Sequence, residues 1–139
     1  MVTVEEVRDQ VRSLIPRRIE SLDLEFFHDD IRQVDNYIVI GRDSDMEFRV
    51  DVATGRVDSV ATTGAPMHWF VNSGVRELAA CLEVHEGTRE LEDDCRDDEH
   101  KWQAALHIML ADVSKVDSLA TAVESGWWPA LAESLMICI

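Results

Sequence analysis

The sequence predicts an α+β fold, an antiparallel sheet with an N-terminal helix and several C-terminal helices packed on it. Three observations lead there. Apolar residues recur at spacings of three and four over the first fifteen positions, the period drops to two between Tyr37 and Ala61, and helical spacing returns after Ser73. Successive hairpin-like strands leave no room for the long crossovers of a parallel sheet.

Val4, Val7, Val11, Leu14 and Ile15 form one helical stripe that ends before Pro16. Leu22 to Phe27 is short and mixed, and reads as a loop or edge strand anchored by Phe26-Phe27. Tyr37 to Ile40 reads as a buried strand and Gly41 to Asp45 as a turn. Met46, Phe48, Val50 and Val52 then alternate with Glu47, Arg49 and Asp51, as a half-buried strand requires. Gly55 supplies the positive φ for a hairpin onto Arg56 to Ala61, and Met67 to Val71 makes a further strand. Asn72-Ser73 offers a helix N-cap, with Val75, Leu78, Ala79 and Leu82 at helical spacing until Gly87 permits a stop. Trp102, Ala105, Leu106, Met109, Leu110 and Val113 define a long helix, followed by shorter ones over Asp117 to Glu124 and Trp127 to Cys138. No repeat or Pro/Gly-rich seam divides the chain, so residues 1–139 read as one domain.

Charge bounds the function. The chain has 139 residues and a net charge of -15, with an ordinary globular hydrophobic content of 46%, so its acidity coats a folded domain. Nearly all of that charge, -14, lies between residues 20 and 99. Phosphate repulsion argues against direct nucleic-acid binding and against an anionic bilayer, and a basic partner is the natural complement. The run Glu90 to Glu99 holds seven acids and one arginine, a composition that suits a solvated loop, a helix start or a partner contact. Glu92, Asp93, Asp94, Asp97, Asp98 and Glu99 are therefore candidate contact residues, with Asp43, Asp45 and Glu47 as a second patch. No apolar run approaches the roughly 18–20 residues of a membrane span, and the N-terminus lacks the pattern of an export signal. Together with three widely spaced cysteines, Cys81, Cys95 and Cys138, this reads as a cytoplasmic protein.

Motifs of catalysis are missing. The glycines are isolated, so no phosphate loop forms, and Val71 stands where a nucleophile elbow at Ser73 needs glycine. Cys81 and His85, four apart on a helix, with Cys95 and His100 downstream, could supply four zinc ligands, but neither CxxC nor HExxH occurs. Cys81 reads more simply as a core residue and His85 as a cap on helix-end carbonyls, and the tryptophans read as core. The expectation is a binding protein without enzyme activity, metal or cofactor.

Three pieces in order carry a family resemblance: a strand ending in Ile40-Gly41, the hairpin D-x-x-T-G-x-V from Asp51 to Val57, and Phe70-Val-Asn-Ser73 leading into a helix. With Phe26-Phe27 upstream and Trp127-Trp128 downstream, the stretch 22–137 resembles the SUKH superfamily, shared by bacterial immunity proteins and yeast cell-wall regulators. It is most similar to the fourth group of SUKH immunity proteins. Met46 and Gly74 depart from the pattern, which has a small turn residue and Ser or Leu at those places. The resemblance implies an antitoxin that binds a polymorphic toxin, commonly a nuclease or deaminase. Two other classes remain open on the residues alone, an interaction or scaffold module and a small hydrolase or isomerase with an unrecognised site.

Overall fold

The computed structural model describes residues 1–122 and 126–137. Helix α1 (Val4–Leu14) starts at Thr3, whose side chain accepts from the Glu6 N–H, and buries Val7 and Val11. Two short strands follow, β1 (Arg18–Ile19) and β2 (Leu24–Phe26), joined by a 3₁₀ turn over Glu20–Leu22. They correct the reading of Leu22 to Phe27 as one loop or edge strand. After β3 (Arg32–Val34) come β4 (Tyr37–Asp43), β5 (Met46–Asp51), β6 (Val57–Ala61) and β7 (His68–Asn72). These strands pair antiparallel in the order β1-β2-β4-β5-β6-β7, and β3 shares with β2 the same edge of β4.

Gly41, expected to open a turn, instead lies inside β4, which runs on to Asp43. A bulge falls between Val39 and Gly41. A Cβ on Gly41 would sit 2.5 Å from the Glu25 carbonyl oxygen and 2.9 Å from Phe26 Cδ1, so a bare glycine is what lets β2 close against β4. The turn proper is Ser44-Asp45, with Ser44 in the left-handed region at φ 49°. Gly55 has the expected positive φ, 80°.

The C-terminal half is α2 (Val75–Arg89), a 3₁₀ turn at Asp93–Cys95, α3 (Glu99–Val116), α4 (Leu119–Ala122) and α5 (Trp127–Ile137). The predicted break at Ser125 and helix end at Cys138 lie outside the described residues. Helix α2 does not stop at Gly87 but continues to Arg89, since a glycine within a helix costs only about 1 kcal/mol. One core joins the helices to one face of the sheet, with Val7, Ile38, Phe48, Val71, Leu78, Leu106, Met109 and Trp128 all inside it.

Asn72 and Ser73 do not cap α2. Its N-cap is Gly74, without a side-chain bond, because the two polar residues are drawn to Asp117 at the end of α3. Asp117 is buried and accepts three hydrogen bonds, from Asn72 Nδ2 (3.0 Å), the Ser73 N–H (2.7 Å) and Ser73 Oγ (2.8 Å). Asn72 in turn accepts from Trp128 Nε1 at 3.0 Å, tying α5 into the same network. Asp117→Ala removes the acceptor and leaves buried donors orphaned. We expect a loss of about 2–4 kcal/mol in urea denaturation, whereas an exposed control such as Asp9→Ala stays within about 0.5 kcal/mol.

Candidate functional site

The sheet face away from the helices carries a ladder of paired charges. Arg42 donates to Glu25 (3.1 Å), Arg49 to Glu47 (2.9 Å) and Arg56 to Asp58 (2.8 Å), with His68 also 3.0 Å from Asp58. An open trough of about 730 Å³ on this face is lined by both signs, including Asp30, Arg32, Arg42 and Glu47. Its charges neutralise one another locally. This face therefore has little net field to offer a partner.

The end of the molecule around the β4–β5 turn is different. Asp43 and Asp45 flank Ser44 and have no salt-bridge partner among the described residues. Burial and the nearby Asp23 hold the Asp43 carboxyl above the usual carboxylate range. Of the three acids predicted as the second patch, Glu47 does not join them: strand alternation points it to the opposite face, where Arg49 neutralises it.

The acidic run at 90–99 is an exposed connection between α2 and α3. Some of its charge is structural. Asp98 is the N-cap of α3, accepting from the Lys101 N–H at 3.1 Å. Glu92 pairs with Arg89, Asp93 with Arg96 at 2.7 Å, and Glu99 accepts from Gln103 at 3.3 Å. Asp94 and Asp97 have no such partner among the described residues and face water.

The two patches are joined by a segment that linear reading overlooked, the 3₁₀ turn at 20–22 and Asp23. Asp23, itself paired with Arg18 at 3.0 Å, acts on Asp43, and Ser21 Oγ donates to Glu86 Oε1 at 2.9 Å on the last turns of α2. Glu90 follows Glu86 one helical turn later, about 6 Å along the axis. Glu20, Asp23 and Glu86 thus bridge hairpin and connection into one acidic end. Their only signal in the sequence is membership of the -14 segment.

A model of the SUKH-4 immunity protein family matches residues 18–134, from β1 into α5. The chain belongs to the SUKH-4 immunity protein family. No curated protein and no solved structure matches it. Membership makes the chain an immunity protein and implies a cognate toxin as its partner. The matched span holds the whole acidic end and leaves out only α1 and the extreme C-terminus.

Among the described residues, no helix is long and apolar enough to cross a membrane, and no three His, Cys, Asp or Glu side chains converge as a metal site does. Cys81 is buried beside Asn72 Nδ2 (3.4 Å), and burial pushes its thiol up to about 11, which opposes the thiolate form that metals bind. Among the described residues His85 caps no carbonyl, and its Nδ1 has no hydrogen-bond partner. It is buried in α2, 3.5 Å from Glu86 Oε1, and burial pulls its pKa below the usual histidine value.

Two consequences can be measured in an immunity protein free of its toxin. Asp98→Ala removes a helix cap and is expected to cost about 1 kcal/mol, whereas Asp94→Asn and Asp97→Asn stay within about 0.5 kcal/mol in thermal melts. Asp43 binds its proton more tightly folded than unfolded, so its ionised form opposes folding above the folded-state pKa. That penalty vanishes once both states are protonated, below the unfolded value near 3.8. Asp43→Asn is therefore more stable than wild type at pH 7, by less than about 1 kcal/mol after solvent screening, and equal to it below pH 3.8 in a pH series of melts.

Proposed function

We propose that the protein neutralises a basic toxin domain, a nuclease or deaminase, by stoichiometric binding through its acidic end, without turnover. One observation carries the reading: segments distant in sequence, 20–23, 43–45 and 86–99, bring their carboxylates to one end of the fold, while the opposite sheet face neutralises its own charge. An enzyme that handles nucleic acid needs a basic groove, and a concentrated negative surface steers association with it. The acids then stand where substrate phosphates stand in the uninhibited toxin. Glu92, Asp93 and Asp98 contribute field while serving local structure, and Asp94 and Asp97 are the freest to meet a partner.

Co-expression with the product of the adjacent gene tests the role directly. We expect that product to be toxic alone and tolerated beside this protein; persistent toxicity would rule the role out. Binding should weaken as salt rises, because the attraction is screened beyond about 8–10 Å. Reversing Asp94 and Asp97 to lysine should slow association at least about tenfold with little change in melting temperature. Unchanged association kinetics in stopped-flow would remove that cluster from the interface.

A further inference from the structure

Beside the β4–β5 turn, on the helix-bearing side of the sheet, lies a pocket of about 320 Å³. Its walls are Trp69, Trp127, Met67 and Leu131; Asp43 stands at its rim and Ser59 at its base. Ser59 occupies the middle of a cross-strand row, with Phe48 on one side and Trp69 on the other. It is 1% exposed, and its Oγ has no hydrogen-bond partner among the described residues. A buried hydroxyl left unpaired costs stability that alanine there would not, so its presence points to a donor or acceptor that arrives from outside.

The rest of the pocket says what arrives. Trp127 is held edge-on by Trp128 (centroids 4.8 Å apart, 87°) and by Phe48 (5.8 Å, 73°), so its ring is a fixed wall. Met67 is half exposed at the margin. Asp43 supplies a carboxylate with no cation of its own among the described residues, and the acidic turn at 20–23 adjoins through Leu22. An apolar side chain would leave both Asp43 and Ser59 unpaired. Among the described lining residues the ionisable group is Asp43 alone, with no imidazole, thiol or amine beside it, an arrangement for binding rather than reaction.

We propose that this pocket receives an arginine side chain of the toxin, its stem against Trp69 and Trp127 and its guanidinium donating to the Asp43 carboxylate and Ser59 Oγ. The proposal rests on the toxin-neutralising role above and names its anchor. Arginine suits the site better than lysine because its planar guanidinium stacks on indole while presenting several N–H donors to a carboxylate. Bound arginine at a buried, aromatic-walled position is also the usual composition of an interface hot spot.

The test has two arms. In the first, the isolated protein is titrated with N-acetyl-arginine amide, and separately with the lysine, citrulline and leucine amides, following the Trp69 and Trp127 indole N–H signals by NMR. We expect saturable shifts with the arginine amide that are lost in Asp43→Asn and at least about tenfold weaker with citrulline, which keeps the shape and loses the charge. No shift, equal shifts with citrulline, or stronger binding of lysine or leucine would overturn the assignment. In the second arm, Ser59→Ala and Asp43→Asn are measured against the toxin encoded by the adjacent gene. Both variants should melt no lower than wild type yet bind at least about tenfold more weakly. Unchanged toxin affinity in both variants overturns the pocket while leaving the neutralising role intact. If wild type fails to bind that toxin, the role falls, and the amide titration still decides the pocket.

Discussion

The carboxylate of Asp117 sits where the last strand meets every C-terminal helix, and the architecture turns on it. Three donors from Asn72 and Ser73 converge on it from the junction of β7 and α2, while its own N–H closes α3 on Val113. Taking a carboxylate out of water is costly unless its lone pairs are filled, and here they are. Asn72 passes the constraint onward through the Trp128 indole, so the position of α5 over the sheet follows from the same few bonds. Trp128 is the largest fully buried side chain among the described residues, and it orients Trp127 beside it. The internal network thereby reaches one wall of the pocket at the acidic end.

A surface this negative works against its own compactness, since like charges repel across it. The fold answers differently in different places. On the outer sheet face Glu25, Glu47 and Asp58 each have an arginine or histidine within salt-bridge distance. In the α2–α3 connection, local pairs and a helix cap absorb part of the charge, while Asp94 and Asp97 go unpaired among the described residues. At Asp43 no cation among the described residues absorbs it, and burial, with Asp23 nearby, raises its pKa. The acidic end keeps Asp43, Asp45, Asp94 and Asp97 without a salt-bridge partner among the described residues, while Asp23, Glu92 and Asp93 there are paired with Arg18, Arg89 and Arg96.

Much of the fold was readable from residue order. The period-two run from Tyr37 to Ala61 and Gly55 specify the central hairpins, because strand alternation and a positive φ are local properties. The stripes of α1 and α3 follow for the same reason. What escaped depends on contacts made through space. Strands β1 to β3 span two or three residues, too short for a period to register. Gly41 resembled a turn residue, although its reason is the approach of a neighbouring strand. Asn72 and Ser73 have the chemistry of caps, but their acceptor is Asp117, more than forty positions away. The acidic block was visible as composition, yet linear order could not show that Asp23 and Glu86 join it to Asp43, that Glu47 belongs to the other face, or that Ser59 lies unpaired beneath.

The central claim is that the toxin meets the acidic end and not the charge-paired outer face. Hydrogen–deuterium exchange of the complex with the adjacent gene's product separates these directly. Protection is predicted at residues 20–23, 43–46, 67–69 and 86–99. Protection confined to the trough over β3 and the outer faces of β4 and β5, with the acidic end exchanging as in the free protein, would contradict it.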